Sequence, residues 1–392
     1  MPASRVASTM SIRGLHGQPR RVTALLALIT FVSLGAAFVK AESEAGTWTL
    51  ERPLPVRLAE VAAVAANGHL HTIGGNLNNV AVTAHDAYDP DKDAWRTLAD
   101  LPEPRDHVAV AQSDGKIFAA GGFATPVHKN SRADVFEYDI ANDTWRRLPA
   151  MTVARGAAGA AIVDGELHVL GGRGDDSVTL AAHEVYDLQS GRWKHAAPLP
   201  QARDHLAVVV MDDKIHVIGG RLRSPVERVG RHDVYDPKMD RWTSAAPLPT
   251  PRSGVAAVLY NGLILVLGGE LPPDHTFPDN EGYDAKTDSW ITLSPMPHGR
   301  HGFGGGVIGS VRILRRRLTY ARRRWTNRPV DPILFTLGRF VLRDLGIAET
   351  LAGNDRQLGH RHSRSDLPFV PIADLTRRGA LVRDLPRLVF GK

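Results

Sequence analysis

Six tryptophans pace this chain. Trp48, Trp95, Trp145, Trp193, Trp242 and Trp290 follow one another at intervals of 47, 50, 48, 49 and 48 residues. Five glycine pairs keep the same beat: Gly74-Gly75, Gly121-Gly122, Gly171-Gly172, Gly219-Gly220 and Gly268-Gly269. Ahead of each pair lies a short alternating apolar run, such as KIFAAGG, ELHVLGG or KIHVIGG. After it come a variable loop, a Tyr-Asp segment (HDAYDP, VFEYDI, HEVYDL, HDVYDP, NEGYDA) and a tryptophan strand such as DRWTSAAPLP. A proline-rich corner with an arginine follows, and then another apolar run. So regular a period means one structural unit copied along the chain, each copy burying its apolar face against the next.

Each unit reads as four short strands separated by turn residues. Four-stranded units at this period describe the blades of a β-propeller. A glycine pair lets neighbouring backbones approach closely, and an indole fills the wedge between blades. Gly-Gly, then Tyr, then Trp at these offsets resembles the kelch repeat over about residues 45–310. The resemblance implies an all-β, six-bladed kelch β-propeller with five complete blades and a sixth shared by the termini. Trp48 opens TWTLERPLP, an outer strand with no first three strands before it. HGRHGFGGGVIG, from His298, is a first strand with nothing complete after it. Joining the two would remove a sheet edge but leave the sixth blade incomplete, without its second and third strands.

Outside the repeat the character changes. Arg5, Arg13, Arg20 and Arg21 precede an apolar run from Val22 to Val39 and the small-residue site Val39-Lys40-Ala41. Residues 1–41 thus read as a signal peptide, or as a membrane anchor if uncut. The propeller is expected over 42–311 and a basic tail over 312–392. Residues 310–392 hold 18 Lys and Arg against 7 Asp and Glu, so the rest of the chain is net acidic despite an overall charge of +6. The tail uses 17 Arg and 1 Lys, whereas residues 42–309 use 18 and 7. It also begins inside a repeat, as a shifted reading frame would. Val311, Leu314, Leu318, Ala321 and Trp325 fall at helical spacing, and Asp331-Pro332 would cap a second helix carrying Ile333, Leu337, Val341 and Leu345. The tail is expected to be partly helical or disordered, and a basic amphipathic pair there would suit an anionic membrane.

In kelch strand order, the corner before strand one and the loop after strand two share a face, which by resemblance is the binding face. The corners carry Arg57, Arg105, Arg155, Arg203, Arg252 and Arg300; His107 and His205 lie two residues beyond theirs. Asn76, Arg173, Arg221 and Glu270 directly follow glycine pairs, and Asp274 lies in a long loop. The ligand-binding face is therefore assigned to Arg105, His107, Arg155, Arg173, Arg203, His205, Arg221, Arg252, Glu270 and Arg300. Residues that break the repeat are the better candidates, since an arginine at every corner also suits a structural tie. An arginine ring would attract anions such as a sugar acid. His71, His168 and His216 share a slot with Phe118 and Leu265, which marks it as a packing slot. His85, His183 and His232 each precede a carboxylate and recur as scaffold does. No metal or cofactor is expected. Arg173-Gly174-Asp175 matches a three-residue adhesion tripeptide, too short to carry a function.

Two classes of function remain. One is an exported, periplasmic or secreted monomeric binding module that holds a protein or glycan, with no nucleic acid as partner. The other is a sugar epimerase or mutarotase, since the sialic-acid mutarotases, which this chain resembles in fold, use a kelch propeller and need no metal or cysteine. Copper radical oxidation of the galactose-oxidase kind needs a cysteine cross-linked to a tyrosine. The chain has no cysteine, which excludes that activity and leaves no disulfide to stabilise an exported fold.

Overall fold

The computed structural model describes residues 46–125, 128–224, 226–271, 275–310, 333–336 and 386–391. It contains five consecutive four-stranded antiparallel sheets, one per repeat unit, and no helix occurs among the described residues. The second unit is representative, with strands Ala109–Ser113, Lys116–Ala120, Val135–Asp139 and Thr144–Leu148. Strands one and two are joined by two-residue turns that demand positive φ at both positions. Asn67-Gly68, Asp114-Gly115, Asp164-Gly165 and Asn261-Gly262 provide it, and Asp212-Asp213 does so without glycine. These are the type I′ turns that match strand twist.

The core lies between sheets. Ala161, Val163 and Leu170 of the third unit pack on Ile215, Val217 and Tyr235 of the fourth. Ala207, Met211 and Ile218 of the fourth pack in turn on Ile264, Val266 and Tyr283 of the fifth. Each tryptophan stitches its unit to the preceding one. The indole Nε1–H of Trp145 donates to the Ala99 carbonyl at 2.9 Å, that of Trp242 to Ala197 at 2.9 Å and that of Trp290 to Ala246 at 2.8 Å. A tyrosine and an aspartate share the seam. Asp143 accepts from the Tyr138 hydroxyl at 2.6 Å and from the Ala99 amide at 2.8 Å, and Asp240 and Asp288 repeat the pattern.

The glycine pairs serve the same seam. The second glycine of each pair donates its amide to the carbonyl of the next unit's corner arginine, as Gly122 does to Arg155 at 3.0 Å. A Cβ on Gly121 would strike that carbonyl oxygen, and Gly121 has φ +67. Only glycine meets both conditions.

The ends of the repeat meet. Trp48 donates to the Ser294 carbonyl at 2.9 Å, the same stitch made to the fifth unit across 246 residues of chain. The strand Gly304–Ser310 lies against both Ala62–Ala66 of the first unit and Ala256–Tyr260 of the fifth. Phe303 and Trp48 join the fifth unit's core, and Ile308 packs on Leu70 and Tyr88 of the first. These terminal strands belong to one further antiparallel sheet, in the order Thr47–Leu50, Ile333–Thr336, Pro386–Gly391, Gly304–Ser310. Two segments of the basic tail thus stand where the second and third strands were expected to be missing. The helix expected after Asp331 is not formed at Ile333–Thr336, which is a strand paired with Thr47–Leu50. An open sheet edge offers a full row of backbone partners, and that outweighs a local 3.6-residue period. The signal segment and the first expected tail helix lie outside the described residues.

Candidate functional site

Three positions per unit meet around the centre of the loop face, and the backbone defines them. In these corners the residue after the arginine bridges the residue after the glycine pair of the same unit: Asp106 with Phe123, Gly156 with Arg173, Asp204 with Arg221, and Ser253 with Glu270. The first unit uses Ala59 and Asn76. The following residue turns onto the axis with positive φ in every unit: Glu60, His107, Ala157, His205, Gly254 and Gly302. Main-chain hydrogen bonds link these six in sequence. His107 donates to the Glu60 carbonyl at 3.2 Å, Ala157 to His107 at 3.0 Å, His205 to Ala157 at 3.0 Å, Gly254 to His205 at 2.9 Å and Gly302 to Gly254 at 3.2 Å. They line a small axial cavity of about 120 Å³.

The corner arginines do not reach this mouth, which corrects their assignment to the binding face. Arg105, Arg155, Arg203, Arg252 and Arg300 are all buried. Arg155 bonds Glu184 at 2.6 Å and the Val169 carbonyl at 3.2 Å. Arg203 bonds Asp233 at 2.9 Å and the carbonyls of Val217 and Gly219. Arg105 pairs with Asp134 at 2.9 Å, and Arg252 with Glu281. The guanidinium groups of Arg155, Arg203 and Arg252 are turned into the sheet, where a third-strand carboxylate and a strand-two carbonyl accept from them; burying them unpaired would be far costlier. Arg57 departs from the pattern, because Leu58 fills the buried corner slot of the first unit and Arg57 is exposed. The three recurrent histidine pairs are likewise internal, with His71 Nδ1 and His85 Nε2 at 3.0 Å, His168 and His183 at 2.9 Å, and His216 and His232 at 2.8 Å.

The repeat-breaking residues do converge. Arg221 is the hub: its Nε donates to Asp204 at 2.9 Å, one Nη to Glu270 at 2.6 Å and the other to His205 Nε2 at 3.2 Å. Ser253 also donates to Glu270, at 2.7 Å. His205 Nδ1 bonds Asp204 at 2.5 Å. Arg173 approaches Asp204 at 3.9 Å. His107 sits between two carboxylates, 3.1 Å from Glu60 and 3.1 Å from Asp106. Burial opposes a charge on His107, but Glu60 and Asp106 outweigh it and push its pKa up to about 9. Glu60 is correspondingly held well below the usual carboxylate range, because His107 overcomes its burial. Burial and the Arg221 charge push His205 the other way. Asp274 lies outside the described residues. Arg173 is buried while Asp175 is exposed, so the adhesion tripeptide does not present its arginine to solvent.

Sequence reading missed Glu60, Asp106, Asp204 and His128. His128 comes from the hairpin Phe123–Thr125/Lys129–Ser131 and leans over the axis. Its Nε2 stands 3.3 Å from that of His205, and its ring centroid 4.7 Å from that of His107. No repeat register applies to a variable loop, so nothing in the sequence marked it. Glu60 was marked by its place three residues beyond Arg57, a signal obscured because the first unit's arginine is displaced.

The comparisons with known proteins agree with this architecture. The kelch motif matches residues 104–152 and 202–249. Kelch-like protein terF of Aspergillus terreus (strain NIH 2624 / FGSC A1156) is 31% identical over 140 residues, 33% of this chain and 30% of that protein. Kelch-like protein 35 of Mus musculus is 27% identical over 32% of this chain and 21% of its own length. Beta-scruin of Limulus polyphemus is 31% identical over 32% of this chain and 14% of its own. The chain thus spans less than a third of the curated relatives it matches. The solved structure of YjhT superposes with a TM-score of 0.57 at 18% identity, over 67% of this chain and 93% of that one, a likeness of fold. Repeat motif, interlocked sheets and these similarities agree, and the chain is a kelch-repeat β-propeller.

Proposed function

We propose that the protein is an exported binding module, a six-bladed propeller that holds a protein or glycan at the mouth formed by His107, His128, His205, Arg173, Arg221 and Glu270. One observation carries this reading. Residues that obey the repeat are used up inside the scaffold, whereas those that break it converge on His205 and Asp204 beside the axial cavity that His107 and His205 line. Specificity on a rigid repeated frame resides in such variable positions. A kelch propeller is a typical protein-interaction module, and the basic, apolar, small-residue order of residues 1–41 supports export. The test is saturable binding of residues 42–392 to an immobilised glycan array and a peptide-display library. Arg221→Gln and His205→Ala are expected to weaken the selected ligand at least roughly tenfold at unchanged fold; binding that survives both variants would move the site elsewhere.

A six-bladed count rests on the closing stitch from Trp48 and on the place of Gly304–Ser310 between first and fifth units. Deleting residues 311–392 should then lower Tm, by about 2–4 °C for each kcal/mol lost in a domain of this size. An unchanged Tm would rule out a contribution of the tail to the ring.

A second reading, a mutarotase acting on a sialic-acid-like sugar, is favoured by Glu60–His107–Asp106. An imidazole between carboxylates can hold and pass a proton, and Arg173 and Arg221 suit a sugar carboxylate. Anomerisation of a sialic acid, followed by proton NMR, separates the two readings: a rate no faster than buffer leaves the binding module alone.

A further inference from the structure

The geometry points to a divalent transition-metal site at the mouth, held by His107, His128 and His205. One ring nitrogen from each lies within 4.8 Å of the other two. Two of them are already spaced for a shared ion, since the Nε2 atoms of His128 and His205 stand 3.3 Å apart. Two nitrogens on one tetrahedral zinc, each at about 2.0–2.1 Å, are separated by about 3.3 Å. His205 is fixed for the task. Asp204 takes its Nδ1–H at 2.5 Å, which leaves the Nε2 lone pair facing His128. A carboxylate behind a ligating imidazole is the usual outer support of such sites. Asp106 stands behind His107 at 3.1 Å in the same way.

The surrounding charge favours a cation. Glu60, Asp106, Asp204 and Glu270 contribute four negative charges to this small volume, and Arg173 and Arg221 return two positive ones. Once His107 gives up its proton on binding, so that all three imidazoles are neutral, a dication balances the remainder. Two carboxylate oxygens there, Asp106 Oδ2 and Asp204 Oδ2, are buried without a hydrogen-bond partner among the described residues. Arg221 also donates toward both Nε2 atoms, at 3.2 and 3.5 Å. A metal would displace that weak contact and the 3.1 Å pairing of His107 Nε2 with Glu60, while Arg221 keeps its bonds to Asp204 and Glu270. Three imidazoles suit zinc, copper, nickel or iron rather than magnesium or calcium. They also leave a coordination position for a donor group of whatever occupies the mouth. The inference holds for a protein or a glycan ligand alike, and needs neither.

The experiment is a calorimetric titration of chelator-stripped residues 42–392 with ZnCl₂, repeated with CoCl₂ to read the visible bands of nitrogen-bound Co²⁺. One equivalent should bind, with the Co²⁺ bands present. His128→Ala, on a surface hairpin, should weaken Zn²⁺ by more than roughly tenfold at an unchanged Tm, and His205→Ala should do the same. His69→Gln, beside the Asn67-Gly68 turn at the end of its strand opposite Gly74-Gly75, should not alter it. Absence of a one-site isotherm, or retention of full affinity and Co²⁺ bands by both His128→Ala and His205→Ala, would overturn the assignment.

Discussion

The chain keeps two populations of histidine a short distance apart, and they obey opposite rules. Between sheets, His71–His85, His168–His183 and His216–His232 form the same pair three times. One ring nitrogen of the third-strand member bonds a backbone carbonyl of its own unit, and its rim meets the next unit's tyrosine, as His85 does Tyr138 at a centroid distance of 4.4 Å. At the mouth, His107 and His205 come from the same corner position of two units and His128 from a variable loop, and carboxylates and arginines surround them. Burial drives the first set neutral, to about 3 for His71 and about 4 for His85. In the second set, carboxylates hold His107 charged. Repetition marks a side chain that holds neighbours together, and singularity marks one that faces the axis.

The largest effect that separates scaffold from mouth should come from a corner arginine. Arg155→Ala leaves Glu184 buried with its ion-pair partner gone, so a loss of about 3–5 kcal/mol is expected in urea unfolding. A loss under about 1 kcal/mol would mean that the corner arginines are not structural ties. Next comes acid. The paired histidines have folded pKa values below the unfolded 6.5, so their contribution is complete above that pH and is lost as pH falls toward about 4. Each should cost about 1 kcal/mol per pH unit over that range. The second unit shows how to remove the effect, because Phe118 and Val135 stand where His168 and His183 do in the third. His168→Phe with His183→Val should fold and flatten the acid limb; an unaltered limb would clear the pairs of responsibility.

His107 predicts the opposite limb. Its folded pKa is raised, so its contribution is complete below about 6.5 and is lost as pH rises through about 9. His107→Gln should therefore remove alkaline sensitivity, as read from Tm against pH. The smallest effect is the most discriminating. His128→Ala should change stability by less than about 0.5 kcal/mol, since no seam depends on it. A larger loss would place His128 in the scaffold.

Legibility followed the same division. The strands, glycine pairs and tryptophan seams were readable because the units say the same thing five times, and Phe118 and Leu265 in a histidine slot were enough to identify packing. His107, His205, Arg173, Arg221 and Glu270 were readable as exceptions to that rule. The corner arginines were placed on the right corners but assigned the wrong direction, because a sequence gives a side chain's position along the chain and not the way it turns. His128 depends on how one irregular loop folds over the axis, and the tail strand Ile333–Thr336 depends on a partner edge more than 250 residues away, so neither is local information.

Five main-chain links join Glu60, His107, Ala157, His205, Gly254 and Gly302 into an arc around the axis. Its links run amide to carbonyl, and no side chain takes part in them. The chain itself fixes the bore of the opening, so the groups set into it behave as interchangeable settings on a fixed rim. A carboxylate, two imidazoles, a methyl and two bare hydrogens already occupy six such settings. Re-lettering them should change what the rim holds while leaving its diameter alone.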